Sequence, residues 1–333
     1  VNPAVDRPRN LFVASSPLQL FNAIEARERF HAGEHNVLLV VWTRDIDRAQ
    51  MAPLVDGRWA GVRWFRLKGW RRSFYPWLLN GWLRRLLPLG SLYLGYPYNL
   101  RAHLANLAAA QRTVLLDDGH ASIEIAAHLA DPARRARDDE HLADRLLGRR
   151  TGLHYAADLH FFTVYDLPDW PAERVLRNDF RCFRAQVAAL PRSDALLFIG
   201  SGLVGNVVAD AATEARLFGA MRRHYEGRRI IYAVHRYEDI DALRRLPELA
   251  GVEVVRYPTL LEYALYAAGE LPAGISTFCS SAVDTLPDIY PLPAEVLVVP
   301  EHLVLPHKVA VLRGLYQSYA ARNIPVIALA GLD

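Results

Sequence analysis

The sequence predicts an α/β protein built from two successive domains, each a parallel sheet covered by helices. Three observations carry this. Short apolar runs recur at intervals that leave room for helices, the runs are apolar on both faces, and the pattern breaks off near residue 190 and then restarts. At 333 residues, 52% of them hydrophobic and 23% charged, the chain can bury two cores. The domains expected are 1–190 and 191–333.

In chain order, "NLFVASSPLQLFNAIEARERF" reads as a strand, a Ser15-Ser16-Pro17 turn, and a helix whose Leu18, Phe21, Ile24 and Ala26 lie near one face. "HNVLLVVW", "GVRWFRL", "SLYLGY" and "TVLLDDG" supply further strands, with helical "YNLRAHLANLAAA" between the last two. Residues 131–150 are charge-dense and read as a solvated helix or loop, after which "ADLHFFTVYDL" returns to the fold. In the second half, strands "LLFIGS", "RIIYAVH" and "VEVVRYP" alternate with helices over about 206–225 and 239–246. Helix "LLEYALYAA" and strands "GISTFCS" and "EVLVVP" follow. The amphipathic helix "VAVLRGLYQSYAARN" leads into strand-like "IPVIALAG", a segment expected to pack back on the first domain.

Composition excludes several classes. Net charge is only +3, so attraction to an anionic partner is local, and no nucleic-acid partner is expected. Cys182 and Cys279 make no disulfide framework, and no CxxC or His-rich spacing suggests a metal. No run reaches the roughly 18 apolar residues of a membrane span. No signal-like segment precedes "VNPAVDRPRN", and the chain reads as cytoplasmic. "RLKGWRRSFYPWLLNGWLRRLL" interleaves basic residues with three tryptophans and leaves two readings open. One is peripheral docking on an anionic inner membrane; the other is an amphipathic core-packing helix with solvated arginines.

Open parallel sheets bind ligands outside the carboxyl ends of their strands, and two such domains would enclose a cleft bounded by those ends. The polar groups predicted there are Ser15-Ser16, Asp117-Asp118-Gly119, His235 and Ser280-Ser281. A carboxylate at a strand tip can take a proton from a hydroxyl. Adjacent strand residues point to opposite faces, so one aspartate should face the cleft while its neighbour braces the loop, and Gly119 permits a sharp turn. His235 is either a donor to a leaving phosphate or a histidine satisfied by the backbone. Ser280-Ser281 before "AVDTL" is either an anion site at a helix start or a plain cap. "FIGSGLVGN", with Ser201 and Gly202, reads as a tight turn rather than a dinucleotide fingerprint, and "RDID" at 44–47 as a DxD pattern of little weight. Together the set suits transfer from a nucleotide-linked donor.

The succession "YLGYPYNLRAHLANLAAAQRTVLLDDGHAS", "YAVHRYED", "YPTLLEYALYA", "ISTFCSSAVDTLPD" and "RNIPVIALAG" resembles the bacterial lipooligosaccharide sialyltransferases and, more loosely, the bacterial polysialyltransferases, over roughly 10–125 and 195–330. The resemblance implies a GT-B fold with two Rossmann-like domains facing an interdomain cleft. It implies an inverting, metal-independent transfer of sialic acid or a related nonulosonic acid from a CMP-linked donor, with no further cofactor. The acceptor is then an oligosaccharide or lipid-linked glycan of the cell surface. Asp117, Asp118 and Gly119 match the family's acidic-acidic-Gly motif, with Asp118 favoured as base. His235 matches the histidine of a His-Pro motif that serves the leaving phosphate, with Arg236 in place of proline. Ser280 and Ser281 match a Ser-Ser pair at the donor phosphate. Ser201, Gly202 and Arg236 then flank the donor, and Ser15, Ser16 and Gly119 the acceptor. Transfer of Kdo or another nucleotide-linked sugar, nucleotide-sugar epimerisation, an inactive binding module and a homodimer stay open.

Overall fold

The computed structural model describes residues 9–119, 121–138, 141–235, 237–280 and 282–332. The chain divides into two compact units, 1–183 and 184–333. Unit 1 runs β1 (Arg9–Ala14), α1 (Pro17–Phe30), β2 (His35–Trp42), α2 (Asp45–Met51), β3 (Gly61–Arg66), α3 (Arg71–Arg84), β4 (Leu89–Leu94), α4 (Leu100–Ala108), β5 (Arg112–Leu116), α5 (Ala121–Ala130), α6 (Pro132–Arg135), α7 (Leu142–Leu146), β6 (Leu159–Thr163) and β7 (Val175–Arg177). Helix α8 (Arg181–Val187) carries the chain across the division. The seven strands pair in parallel in the order β3-β2-β1-β4-β5-β6-β7.

The central strands are buried on both faces, which is why they read as unbroken apolar runs: Leu11, Leu39, Leu92 and Phe161 are fully covered. Burying each such side chain stabilises the unit by about 1.5–3 kcal/mol. Helix α1 starts where Ser16, in extended conformation, caps it and Pro17 fills the first turn. Its buried positions include Leu20, Phe21, Ala23 and Ala26, whereas the expected Leu18 and Ile24 are only partly covered. The helix is enclosed far more widely than an apolar stripe predicts because its polar side chains are paired. Arg27 forks onto Asp56 at 2.9 and 3.0 Å, and Glu25 accepts the backbone N–H groups of Cys182 and Phe183.

Unit 2 runs β8 (Leu196–Ile199), α9 (Ala211–His224), β9 (Ile230–Ala233), α10 (Ile240–Arg244), β10 (Glu253–Val255), α11 (Leu261–Ala268), β11 (Gly274–Thr277), α12 (Ala282–Ile289), β12 (Ala294–Leu297), α13 (Val309–Ala321) and β13 (Val326–Ile327). Its six strands are again parallel, ordered β10-β9-β8-β11-β12-β13. Counted within each unit, both sheets follow the dinucleotide-fold order 3-2-1-4-5-6, with one extra edge strand in unit 1. Two Rossmann-like units in series are the chain organisation of the GT-B class. Near the end of the chain, β13 pairs with β12 as the edge strand of the second sheet. Helix α9 begins at Ala211, later than expected, because Asp210 caps it by accepting the Thr213 N–H at 2.8 Å.

Candidate functional site

Each sheet reverses its direction of winding once, between β1 and β4 and between β8 and β11. Of the polar residues predicted at strand ends, Ser15 and Ser16 follow β1 and Ser280 follows β11, while Asp117 and Asp118 follow β5 and His235 follows β9.

In unit 1, Asp117 and Asp118 follow β5 and separate as alternation requires. Asp117 turns inward, 4% exposed, and its Oδ2 accepts the Val164 N–H at 2.8 Å. Burial pushes its carboxyl up to about 6, against the opposing hydrogen bonds from Thr163 and Val164. Asp118 is half-buried, and its Oδ1 accepts the Ser16 hydroxyl at 3.3 Å. Ser16 Oγ also accepts the Gln19 N–H at 3.2 Å, which ties Asp118 to the positive end of the α1 dipole. Gly119 turns the chain away at φ +69°.

Sequence reasoning missed the cation here. Arg101, in the first turn of α4, donates from Nη2 to Ser15 Oγ; burial lowers its pKa to about 10, and the Asp118 charge works in the opposite sense. Its signal was the single Asp, Glu, Lys or Arg in "YNLRAHLANLAAA", without any hint of direction. Gly95, just after β4, lets the strand end close on this group, since a Cβ there would lie 1.9 Å from Gln19 Oε1. Ser15, Ser16, Asp118 and Arg101 thus meet at the carboxyl edge, while Asp117 faces the interior. Beyond them a polar cavity of about 480 Å³ is lined by Tyr96, Tyr98, Asn99, His128, Asp138 and Asp144. Asn99 holds φ at 54°, a left-handed conformation that costs energy in a residue with a side chain.

In unit 2 the strand ends are tied together by a residue that was not singled out. Glu238 accepts the Gly202 N–H at 3.1 Å, the His235 N–H at 2.7 Å and the Tyr232 hydroxyl at 2.8 Å. One carboxylate therefore joins the loop after β8 to the loop after β9. Burial raises its pKa. Nothing in "HRYED" tells a reader that this glutamate turns back toward the sheet. The glycines of "IGSG" answer to it: a Cβ on Gly200 would lie 2.5 Å from Glu238 Oε2, and Gly202 sits at φ +58° with the His235 ring 3.0 Å from a Cβ position. With α9 starting only at Ala211, this is a tight turn and not a dinucleotide loop opening a helix. Glu214 on α9 is a second perturbed acid, pushed up to about 7 by burial and by the Glu238 charge.

On the β11 side, Thr277 Oγ1 lies 3.1 Å from Ser201 Oγ and accepts the Ser280 N–H at 3.1 Å. Ser280 Oγ accepts the Ala282 N–H at 3.4 Å, so it helps to cap α12. Ser201, Gly202, His235 and Ser280 therefore form one group. The predicted Arg236 and Ser281 lie outside the described residues. The "RDID" carboxylates are engaged elsewhere: Arg44 forks onto Asp47 at 2.7 and 2.9 Å, and Arg66 meets Asp45 at 3.2 Å. Among the described residues no group of three or more His, Cys, Asp or Glu could hold a metal.

No protein-family profile matches the chain, and no curated protein matches it in sequence. Among solved structures it is similar to MurG of Acinetobacter baumannii, at 12% identity and a TM-score of 0.46 over 96% of this chain and 86% of that one. It is similar to the E. coli heptosyltransferase WaaC with ADP, at 13% and 0.44 over 94% and 98%. An Arabidopsis thaliana UGT complexed with UDP-L-rhamnose gives 12% and 0.48 over 97% and 86%. Each is a likeness of fold.

Proposed function

We propose that the chain is an inverting glycosyltransferase that moves a sialic acid or related nonulosonic acid from a CMP-linked donor to a glycan acceptor of the bacterial surface. The observation that carries this reading is the unit 2 group, in which Glu238 locks His235 against Gly202 beside the Ser201–Thr277–Ser280 chain. A phosphate there meets hydroxyls, the N-terminal end of α12 and an imidazole whose Nδ1 accepts the Tyr237 N–H at 3.4 Å. In unit 1, Asp118 is the base. The acceptor O–H proton passes to its carboxylate, the acceptor oxygen forms the bond to the anomeric carbon, and the carbon–oxygen bond to CMP breaks with its electron pair. His235 donates a hydrogen bond to the departing phosphate, and attack opposite the leaving group inverts configuration. The cavity flanked by Tyr96 and Tyr98 has the mixture of aromatic faces and planar polar groups that suits a sugar ring.

The test is a nucleotide screen by thermal shift followed by product analysis. CMP or CDP should raise the melting temperature well beyond UDP or ADP, and a CMP-nonulosonate should yield free CMP and an inverted glycoside. Stabilisation by UDP or ADP in place of the cytidine nucleotides overturns the donor assignment, and an epimerised donor without transfer overturns the reaction.

A further inference from the structure

Helix α3 carries two apolar faces, and the core uses only one. Tyr75, Leu79 and Leu83 are buried in the unit 1 core at 2%, 0% and 0% exposure. On the other side Trp70, Phe74 and Trp77 stand 61%, 42% and 79% exposed. Their spacing, i, i+4, i+7, sets them along one line even though the first turn is irregular at Phe74. Two tryptophans and a phenylalanine along one helix are more than the scattered exposed apolar residues a soluble surface ordinarily carries.

Charge identifies the occupant. Lys68, Arg71, Arg72, Arg84 and Arg85 are all exposed around this line, and no Asp or Glu occurs anywhere from 66 to 87. Gly81, with open space at its Cβ position, keeps the middle of the face low between Trp77 and the arginine pair. Here cations stand directly beside the aromatic residues, with the Arg71 guanidinium 5.7 Å from the Trp70 ring centroid. Indole rings at headgroup depth framed by Lys and Arg are the composition of a helix lying in a membrane interface. We infer that the Trp70–Phe74–Trp77 face of α3 docks unit 1 on an anionic lipid bilayer. The inference is independent of the donor assignment. The N-terminal end of α3 follows β3, so the face begins at the same edge of the sheet as Asp118.

Vesicle flotation tests it. The full chain should partition onto phosphatidylglycerol-containing vesicles at least about tenfold better than onto phosphatidylcholine alone. The preference should collapse near about 1 M salt, where the Debye length falls to about 3 Å. Trp70→Ala/Trp77→Ala should lower partitioning by about tenfold or more at unchanged melting temperature, and Arg71→Glu/Arg72→Glu should abolish the lipid preference. Quenching of tryptophan fluorescence by bromine-labelled lipid should weaken in the first variant. Equal binding to both vesicle types, no binding, or full retention by the tryptophan variant overturns the inference. So does salt-sensitive capture by an acidic polymer that is indifferent to the tryptophans. None of these readouts requires turnover, so they stand apart from the fate of the proposed reaction.

Discussion

Asp117 and Asp118 show what a sequence can say about a single residue. Alternation along a strand requires the two to part, and "DDG" displays that much without coordinates. Which one turns inward depends on the Val164 N–H, supplied by the end of a strand more than forty residues away. The two make different predictions. Asp118→Asn should lower turnover by about 10²–10⁴ with little change in donor KM, and a variant with near-normal kcat would remove it as base. Asp117 acts on stability. Its carboxyl rises from an ordinary 3.8 to about 6 on folding, so the folded state favours the protonated form. Stability from this group is complete below the lower value and is lost as pH rises through the upper one. Asp117→Asn should therefore stabilise the protein at pH 7, by up to about 3 kcal/mol, and lose its advantage near pH 3.5. Melting curves at the two pH values check this; an advantage that grew toward acid would reverse the assignment.

At the scale of elements, strands were legible and their ends less so. A strand buried on both faces announces itself by an unbroken apolar run, which is why β2 falls where "HNVLLVVW" predicts. Polar residues that cap or pair inside the protein look the same in a sequence as polar residues facing water. For that reason Glu25, Arg27 and Glu238 were unmarked, and the start of α9 was placed too early. Glu238 supports a prediction at this scale. Glu238→Ala would strand three donors, on Gly202, His235 and Tyr232, each costing about 1–3 kcal/mol if left buried and unmatched. The melting temperature should drop by several degrees and kcat by about 10–100-fold. Gly200→Ala should resemble it, since its Cβ would strike both the same carboxylate and the Ala233 carbonyl. Normal stability in both variants would mean that the two loops are held by other contacts.

For the whole molecule, the sequence shows that the α/β pattern stops and restarts, and that much follows from periodicity. It does not show strand order, because neither β1 beside β4 nor β8 beside β11 is signalled by any local feature; the order follows from the handedness of crossovers over a whole unit. The pairing of β13 is equally silent in the sequence, a two-residue strand having too little pattern to declare its sheet. Once the order is known, each unit has one place where a ligand is expected, and the unit 2 place holds the proposed phosphate group. Hydrogen exchange in the presence of CMP should therefore slow in the loops following β8, β9 and β11 and leave the loops following β1 and β5 unchanged. Protection centred on unit 1 would exchange the roles of the units.

Under the docking and transfer proposed above, the exposed tryptophan line of α3 has a kinetic consequence. An enzyme resting on a lipid sheet meets a lipid-borne acceptor in two dimensions, so its rate follows the acceptor's mole fraction in the bilayer rather than its concentration in the tube. Adding acceptor-free anionic vesicle lipid to a fused mixture should then slow transfer at constant total acceptor. The Trp70→Ala/Trp77→Ala protein, acting from solution, should be nearly blind to that dilution.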